Sequence, residues 1–416
     1  MPPFHRIATV TDSFHNEHRY GDLDSWRAEA LALHDVAPIH RIEDDRFSPF
    51  WAVIGHDQIM GIERNSELFT NGPEPVLQPD SAIAERAASG VSIRTLIHMD
   101  APDHTKYRRL TNDWFKPAGL KRLQSRLDDL SNEAVQTLRD AGGEIEFNNQ
   151  IAVPYPLQVI LAILGLPRDD YPRMLKLTQE LFGATDPDLG RQAETPEERV
   201  QVLLDFYAYF SELTASRREQ PTDDLASLIA NGQIDDEPMP DLETMGYYTI
   251  VATAGHDTTA ASIAEGMHEL ASHPDQLELL QRDPSLIANA VEEMIRLASP
   301  VRHFMRTAQK DTEVGGQKIA AGDWLMLNYT AANLDPSKFD DPLRFDVTRH
   351  NANRHIAFGF GAHFCLGAQL ARLELRSLFS ALVEALDTVE PAGERTTAKA
   401  TFVSGPKAVP IRYTLR

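Results

Sequence analysis

The chain has 416 residues, a formal net charge of −22 and one cysteine, Cys365. So acidic a balance argues against nucleic acid as a partner, because phosphate binding requires basic surface. One cysteine rules out an internal disulfide and suits a reducing, cytoplasmic compartment. The N-terminus has no apolar core of signal-peptide length, and no apolar run is long enough to span a bilayer, so no membrane association is expected.

In chain order, apolar spacing of helical period predicts helices over 24–33, 105–114, 120–141, 157–164, 172–182 and 196–218. Further helices are predicted over 241–272, 275–281, 286–297 and 366–386. Short strand patterns fall early, as a hairpin of 39–42 with 50–54, and late, at 312–314 and 317–319 around Gly315-Gly316, 324–328, 401–403 and 409–413. No linker, repeat or low-complexity tract divides the chain, which predicts one domain over 1–416, mostly α with a small β-rich part (α+β).

Three stretches carry candidate chemistry. Phe358-Gly-Phe-Gly-Ala-His-Phe-Cys365-Leu-Gly367 sets the cysteine in a glycine-bracketed loop at the start of a helix. Glycine lets several N–H groups close around one sulfur, and a helix N-terminus favours a thiolate. The alternative is a small buried hydrophobe, the usual fate of a lone cysteine. The 241–272 pattern far exceeds the usual ~11–12 residues of a helix, yet its middle, Thr253-Ala-Gly-His-Asp-Thr-Thr259, is a poor helical sequence. Either Asp257 caps a second helix after a break at Gly255, or the helix is opened over a cofactor. Glu293-Met-Ile-Arg296 places opposite charges three apart on a helix, ordinarily a weak surface pair.

The ten-residue pattern Phe-Gly-x-Gly-x-His-x-Cys-x-Gly resembles the haem-binding signature of the cytochrome P450 family, the haem-thiolate monooxygenases. Ala-Gly-x-Asp-Thr-Thr is similar to that family's oxygen-activation motif. Glu293-x-x-Arg296, with Arg344 in Pro342-Leu-Arg344-Phe345, resembles its buried Glu–Arg–Arg network. The runs 105–117, 174–183, 304–308 and 311–319 look like the bacterial α-terpineol-oxidising subfamily.

This resemblance implies haem b with Cys365 as axial thiolate in the loop of Phe358, Gly359 and Gly367, and a long distal helix above the haem. His104, Arg108, Arg306 and His363 are then the partners of the haem propionates. Thr258 would hydrogen-bond the oxygen being activated, and Asp257 would relay protons. Glu293, Arg296 and Arg344 would serve folding and haem retention. Ile97, Phe182, Ile250, Thr253, Ala254, Val301, Phe304, Phe402 and Val403 are the implied substrate cavity. They are nearly all apolar, which suits a monoterpenoid or an alkylbenzene; a steroid or fatty acid is the runner-up. Dioxygen is the co-substrate. Electrons come from NAD(P)H only indirectly, through a reductase and a [2Fe–2S] ferredoxin docking near Arg108, Arg109 and Arg372, and the protein is expected to be a monomer. A haem-thiolate sensor or electron carrier is the different-class alternative, and it has no use for the Asp257–Thr258 pair.

Overall fold

The computed structural model describes residues 12–89, 94–182 and 196–416. Helix α1 (Leu23–His34) begins where the Asp22 side chain accepts the Ser25 N–H, an N-cap that satisfies one orphan donor. A hairpin of β1 (Ile39–Asp44) and β2 (Phe47–Val53) follows, then α2 (His56–Arg64) and β3 (Phe69–Thr70). The helical body comprises α3 (Asp103–Asn112), α4 (Gln124–Ala141), then the short strand β4 (Glu144–Glu146), α5 (Pro154–Ile163), α6 (Tyr171–Phe182), α7 (Pro196–Glu219) and α8 (Leu225–Ala230). Helix α4 stops at Gly142, whose φ of 72° makes the left-handed C-terminal turn that glycine adopts without a Cβ penalty.

The predicted 241–272 helix is two helices, α9 (Asp241–Ala254) and α10 (Asp257–Ser272), interrupted at Gly255-His256. Helices α11 (Pro274–Arg282) and α12 (Ile287–Ala298) follow, then β5 (His303–Ala308), the hairpin β6 (Thr312–Val314) and β7 (Gln317–Ile319), and β8 (Trp324–Asn328). The chain closes with α13 (Ala368–Ala385), β9 (Leu386–Pro391), β10 (Thr396–Thr397), β11 (Pro406–Ala408) and β12 (Pro410–Leu415).

The main sheet runs β1-β2-β8-β5-β3, with β8 parallel to β2 and the other pairs antiparallel. A second sheet runs β9-β12-β4. The strand expected at 401–403 is only an isolated bridge, Val403 to Val301; the pairing strands begin later, at Pro406 and Pro410. Apolar faces of α4, α5, α10, α12 and α13 (Leu127, Leu130, Ile160, Ile263, Met294, Leu378 and Phe379 among them) form the principal core. No helix among the described residues is long and apolar enough to cross a membrane.

Candidate functional site

One cavity of about 370 Å³ brings the cysteine loop and the helix break together, within the range of small-molecule sites. Its lining includes Cys365, Phe358, Gly359 and Gly367 from the loop, Ala254, Gly255, Asp257 and Thr258 from the helix break, and His104, Arg108, Arg306 and His363. The expected substrate contacts Ile97, Ile250, Thr253, Val301, Phe304, Phe402 and Val403 line it too. Phe182 ends α6, but its side chain lies outside the described residues.

The loop holds the sulfur by backbone bonds. The Cys365 N–H donates to Phe358 O at 2.9 Å, and the Gly359 N–H to Ile356 O at 2.9 Å. Gly359 and Gly361 sit at φ of 66° and 70°. A Cβ on Gly361 would fall 2.2 Å from the Glu63 carbonyl oxygen, so the close passage of α2 demands glycine there. Burial pushes the Cys365 thiol up; the N–H groups of Gly367 and Ala368 and the charges of Arg108 and Arg372 pull it down without overcoming that. Helix placement therefore does not ionise this thiol unaided. A coordinated metal would, because a coordinating thiol is deprotonated outright.

Four basic side chains converge on the same cavity. The His104 and His363 rings lie 3.9 Å apart, centroid to centroid, and burial with neighbouring cations holds their acidities at about 4 and about 2. Arg108 reaches Phe364 O at 2.5 Å, and Arg306 reaches the Glu63 carboxylate at 3.1 Å. Two guanidinium groups beside two histidines that burial keeps neutral, and that a negative charge would help to protonate, fit a ligand that brings its own negative charge. Haem, with two propionates and an iron for the sulfur, matches that donor set.

Glu63 was not marked by any sequence pattern. It is buried on α2, takes hydrogen bonds from Arg306 and from Tyr329 Oη at 2.8 Å on one oxygen, and leaves Oε2 without a partner inside the cavity wall. Burial pushes its carboxyl up. The usable signal was the buried i, i+3 pair Ile59 and Ile62 following Gly55, which marks a short helix.

At the helix break, a Cβ on Gly255 would lie 2.6 Å from Ile160 Cδ1 of α5, so a larger residue there would displace the end of that side chain. Asp257 does not cap α10: His256 holds that position, and the Asp257 carboxylate lies 3.2 Å from His256 Nδ1. Burial pushes Asp257 up. The Thr258 hydroxyl donates to Ala254 O at 2.6 Å, and Thr253 to Thr249 O at 2.7 Å.

Two expectations are corrected. Arg344 is exposed and contributes only its carbonyl; Arg349 completes the buried network, its Nε 2.9 Å from Glu293 Oε1. Arg296 holds the same carboxylate through two bonds of 2.7 and 2.8 Å. The expected docking cation Arg372 is largely buried instead, bonded to Glu292 at 2.8 and 2.9 Å and lying over the Phe358 ring at 4.5 Å. Arg108 is half-buried, whereas Arg109 is exposed.

The Cytochrome P450 family model matches residues 59–409. Cytochrome P450-terp from Pseudomonas sp is 40% identical over 394 residues, 92% of each chain. Linalool 8-monooxygenase from Pseudomonas putida is 33% identical over 374 residues, covering 89% of this chain and 91% of that one. Among solved structures, CYP108D1 from Novosphingobium aromaticivorans superposes with a TM-score of 0.91 at 44% identity, covering 98% of this chain and 99% of that one.

Proposed function

This chain belongs to the cytochrome P450 family, and we propose that it hydroxylates a small apolar molecule, a monoterpenoid or an alkylbenzene. It is a monooxygenase that uses haem b and dioxygen. In this reading Cys365 is the axial thiolate, and His104, Arg108, Arg306 and His363 hold the propionates. Haem bound to a thiolate supplies reductive activation of dioxygen and insertion of one oxygen atom into a C–H bond. The chain's own part is to exclude water, orient the substrate and deliver protons. Thr258 presents its hydroxyl to the cavity and Asp257 passes it a proton. Electrons come from a [2Fe–2S] ferredoxin reduced by an NAD(P)H-dependent flavoprotein, with exposed Arg109 as part of the docking surface of a cytoplasmic monomer.

The observation that carries the substrate class is the cavity wall. Ile97, Ile250, Val301, Phe304, Phe402 and Val403 are all apolar, and Phe304 and Phe402 meet edge to face at 5.4 Å. Such a corner grips a ring by shape. The terpenoid in one relative's name, linalool, points the same way. Titrating the ferric enzyme with limonene, terpineol, cymene, a sterol and a long fatty acid tests it. The small compounds should displace water and shift the haem spectrum toward high spin. Tight binding by the sterol or fatty acid alone refutes the substrate class. Phe304→Ala should loosen regioselectivity while haem content holds. Thr258→Ala should consume NADH with more peroxide and less product, and Asp257→Asn should slow turnover.

A further inference from the structure

His256 occupies the one position between Gly255 and Asp257, and its ring is 1% exposed. Nε2 lies 3.1 Å from the Val153 carbonyl oxygen. A carbonyl oxygen only accepts, so Nε2 carries a hydrogen. Nδ1 lies 3.2 Å from Asp257 Oδ1 and 3.5 Å from Thr178 Oγ1. The Thr178 hydroxyl spends its own hydrogen on Leu175 O at 3.0 Å, so it offers Nδ1 lone pairs only. A neutral imidazole with Nε2–H would therefore leave a bare Nδ1 lone pair 3.2 Å from an ionised carboxylate. One more proton removes that conflict, either on Nδ1 or on Asp257.

We propose that His256 and Asp257 form a one-proton couple, with His256 the positioning residue whose Nδ1 shares with Asp257 the proton that Asp257 gives to the cavity, water then supplying its replacement. This rests on the reading of Asp257 as the proton donor at Thr258. The two forms of the couple, imidazolium with carboxylate and imidazole with carboxylic acid, carry the same net charge. The proton therefore crosses between Nδ1 and Oδ1 without changing the net charge of the couple. When the Asp257 O–H bond breaks and its proton leaves toward Thr258, a carboxylate is left facing the bare Nδ1 lone pair. That repulsion, in a buried site, drives uptake of a replacement proton from water. The Asp257 carboxyl is 36% exposed, toward the cavity, while His256 is sealed behind it. The acid thus faces the reacting space, and the imidazole behind it sets how strongly the couple holds its proton.

The test uses haem-loaded enzyme. His256→Asn places an amide near Nδ1, so it can keep a hydrogen bond to Asp257 but cannot hold a proton. Turnover should fall by about tenfold or more, as for loss of a general acid–base partner, with a larger solvent hydrogen isotope effect. Haem content and the substrate-induced spectral shift should stay as in the wild type. Unchanged turnover and isotope effect overturn the couple. Infrared and ¹⁵N-histidine spectra of the wild-type ferrous–carbonyl form decide independently, even if the variant loses haem. Either a protonated Nδ1, or a protonated carboxyl band that vanishes in Asp257→Asn, supports the couple; a bare Nδ1 with an ionised Asp257 overturns it. Slow Asp257→Asn beside normal His256→Asn refutes the couple alone. Normal turnover in Asp257→Asn refutes the proton-donor reading beneath it.

Discussion

Replacing Arg349 by leucine separates the observed network from the one its motif suggests. Arg349 donates to Glu293 at 2.9 Å and to the carbonyls of Asp340, Asp341 and Arg344 at 2.6, 3.1 and 2.8 Å. Glu293 would keep its two bonds from Arg296, so the buried carboxylate stays compensated and the full cost of an orphaned charge is avoided. What is lost is one bond to a charged acceptor, worth ~1.5–3 kcal/mol, and three bonds to neutral carbonyls of ~0.5–1.5 kcal/mol each. Water reaching the carbonyls offsets part of this, leaving about 3–5 kcal/mol. With ~2.1 cal/mol/K of unfolding entropy per residue over 416 residues, that lowers Tm by about 3–6 °C. Arg344→Leu, an exposed change, should stay within about 0.5 kcal/mol and shift Tm by under ~1 °C. Thermal scans followed by haem absorbance and by circular dichroism read both. A larger drop for Arg344→Leu than for Arg349→Leu would refute the reasoning.

Three other perturbations probe the site. Cys365→His should still bind some haem but abolish the thiolate-type spectrum of the reduced carbonyl complex; survival of that spectrum removes Cys365 as ligand. Gly361→Ala should loosen haem, seen as faster transfer to apomyoglobin, because its Cβ meets Glu63 O at 2.2 Å. Gly316→Ala has a similar positive φ but nothing within 4 Å, so it should show only the ~1–2 kcal/mol backbone cost and no haem loss. His303 is fixed in one neutral tautomer, Nδ1–H to Thr401 O at 2.9 Å and Nε2 accepting the Leu77 N–H at 3.1 Å, and burial holds it at about 4 against an ordinary 6.5. Its folded state binds protons less readily than the unfolded chain, so its contribution is complete above pH 6.5 and is lost as pH falls toward 4. That contribution is on the order of 3 kcal/mol at ~1.36 kcal/mol per pH unit. His303→Gln should flatten the fall of Tm between pH 6.5 and 4, and an unchanged slope counts against it.

The motifs were legible because their chemistry needs neighbours along the chain. A sulfur wrapped by its own loop, and a helix opened at Gly255 ahead of Asp257 and Thr258, are local events of backbone and side chain. The break itself could be read from Gly255 and the threonines, whereas the role of His256 could not, because its partners Val153 and Thr178 come from other elements. The same division explains the 401–403 strand: β-branched and aromatic residues promise extension, but the sheet partner decides, and only Val403 finds one.

Charge compensation was the least legible part, and the reason is geometric. Arg306 takes its carboxylate from Glu63, 243 positions away; Arg349 takes Glu293 at a separation of 56, and Arg372 takes Glu292 at 80. A motif can name a cation that the fold must bury, but burial is tolerable only where some other element brings an anion within reach. Arg344 illustrates the consequence. It stands in the expected local context, yet its side chain stays at the surface while its carbonyl serves Arg349 five residues on. Which arginine turns inward is settled by the path of the loop from Asp340 to Arg349, whose carbonyls of Asp340, Asp341 and Arg344 all aim at one guanidinium. Those carbonyls need donors once buried, and only an arginine beyond the loop, bent back over it, satisfies them together with Glu293.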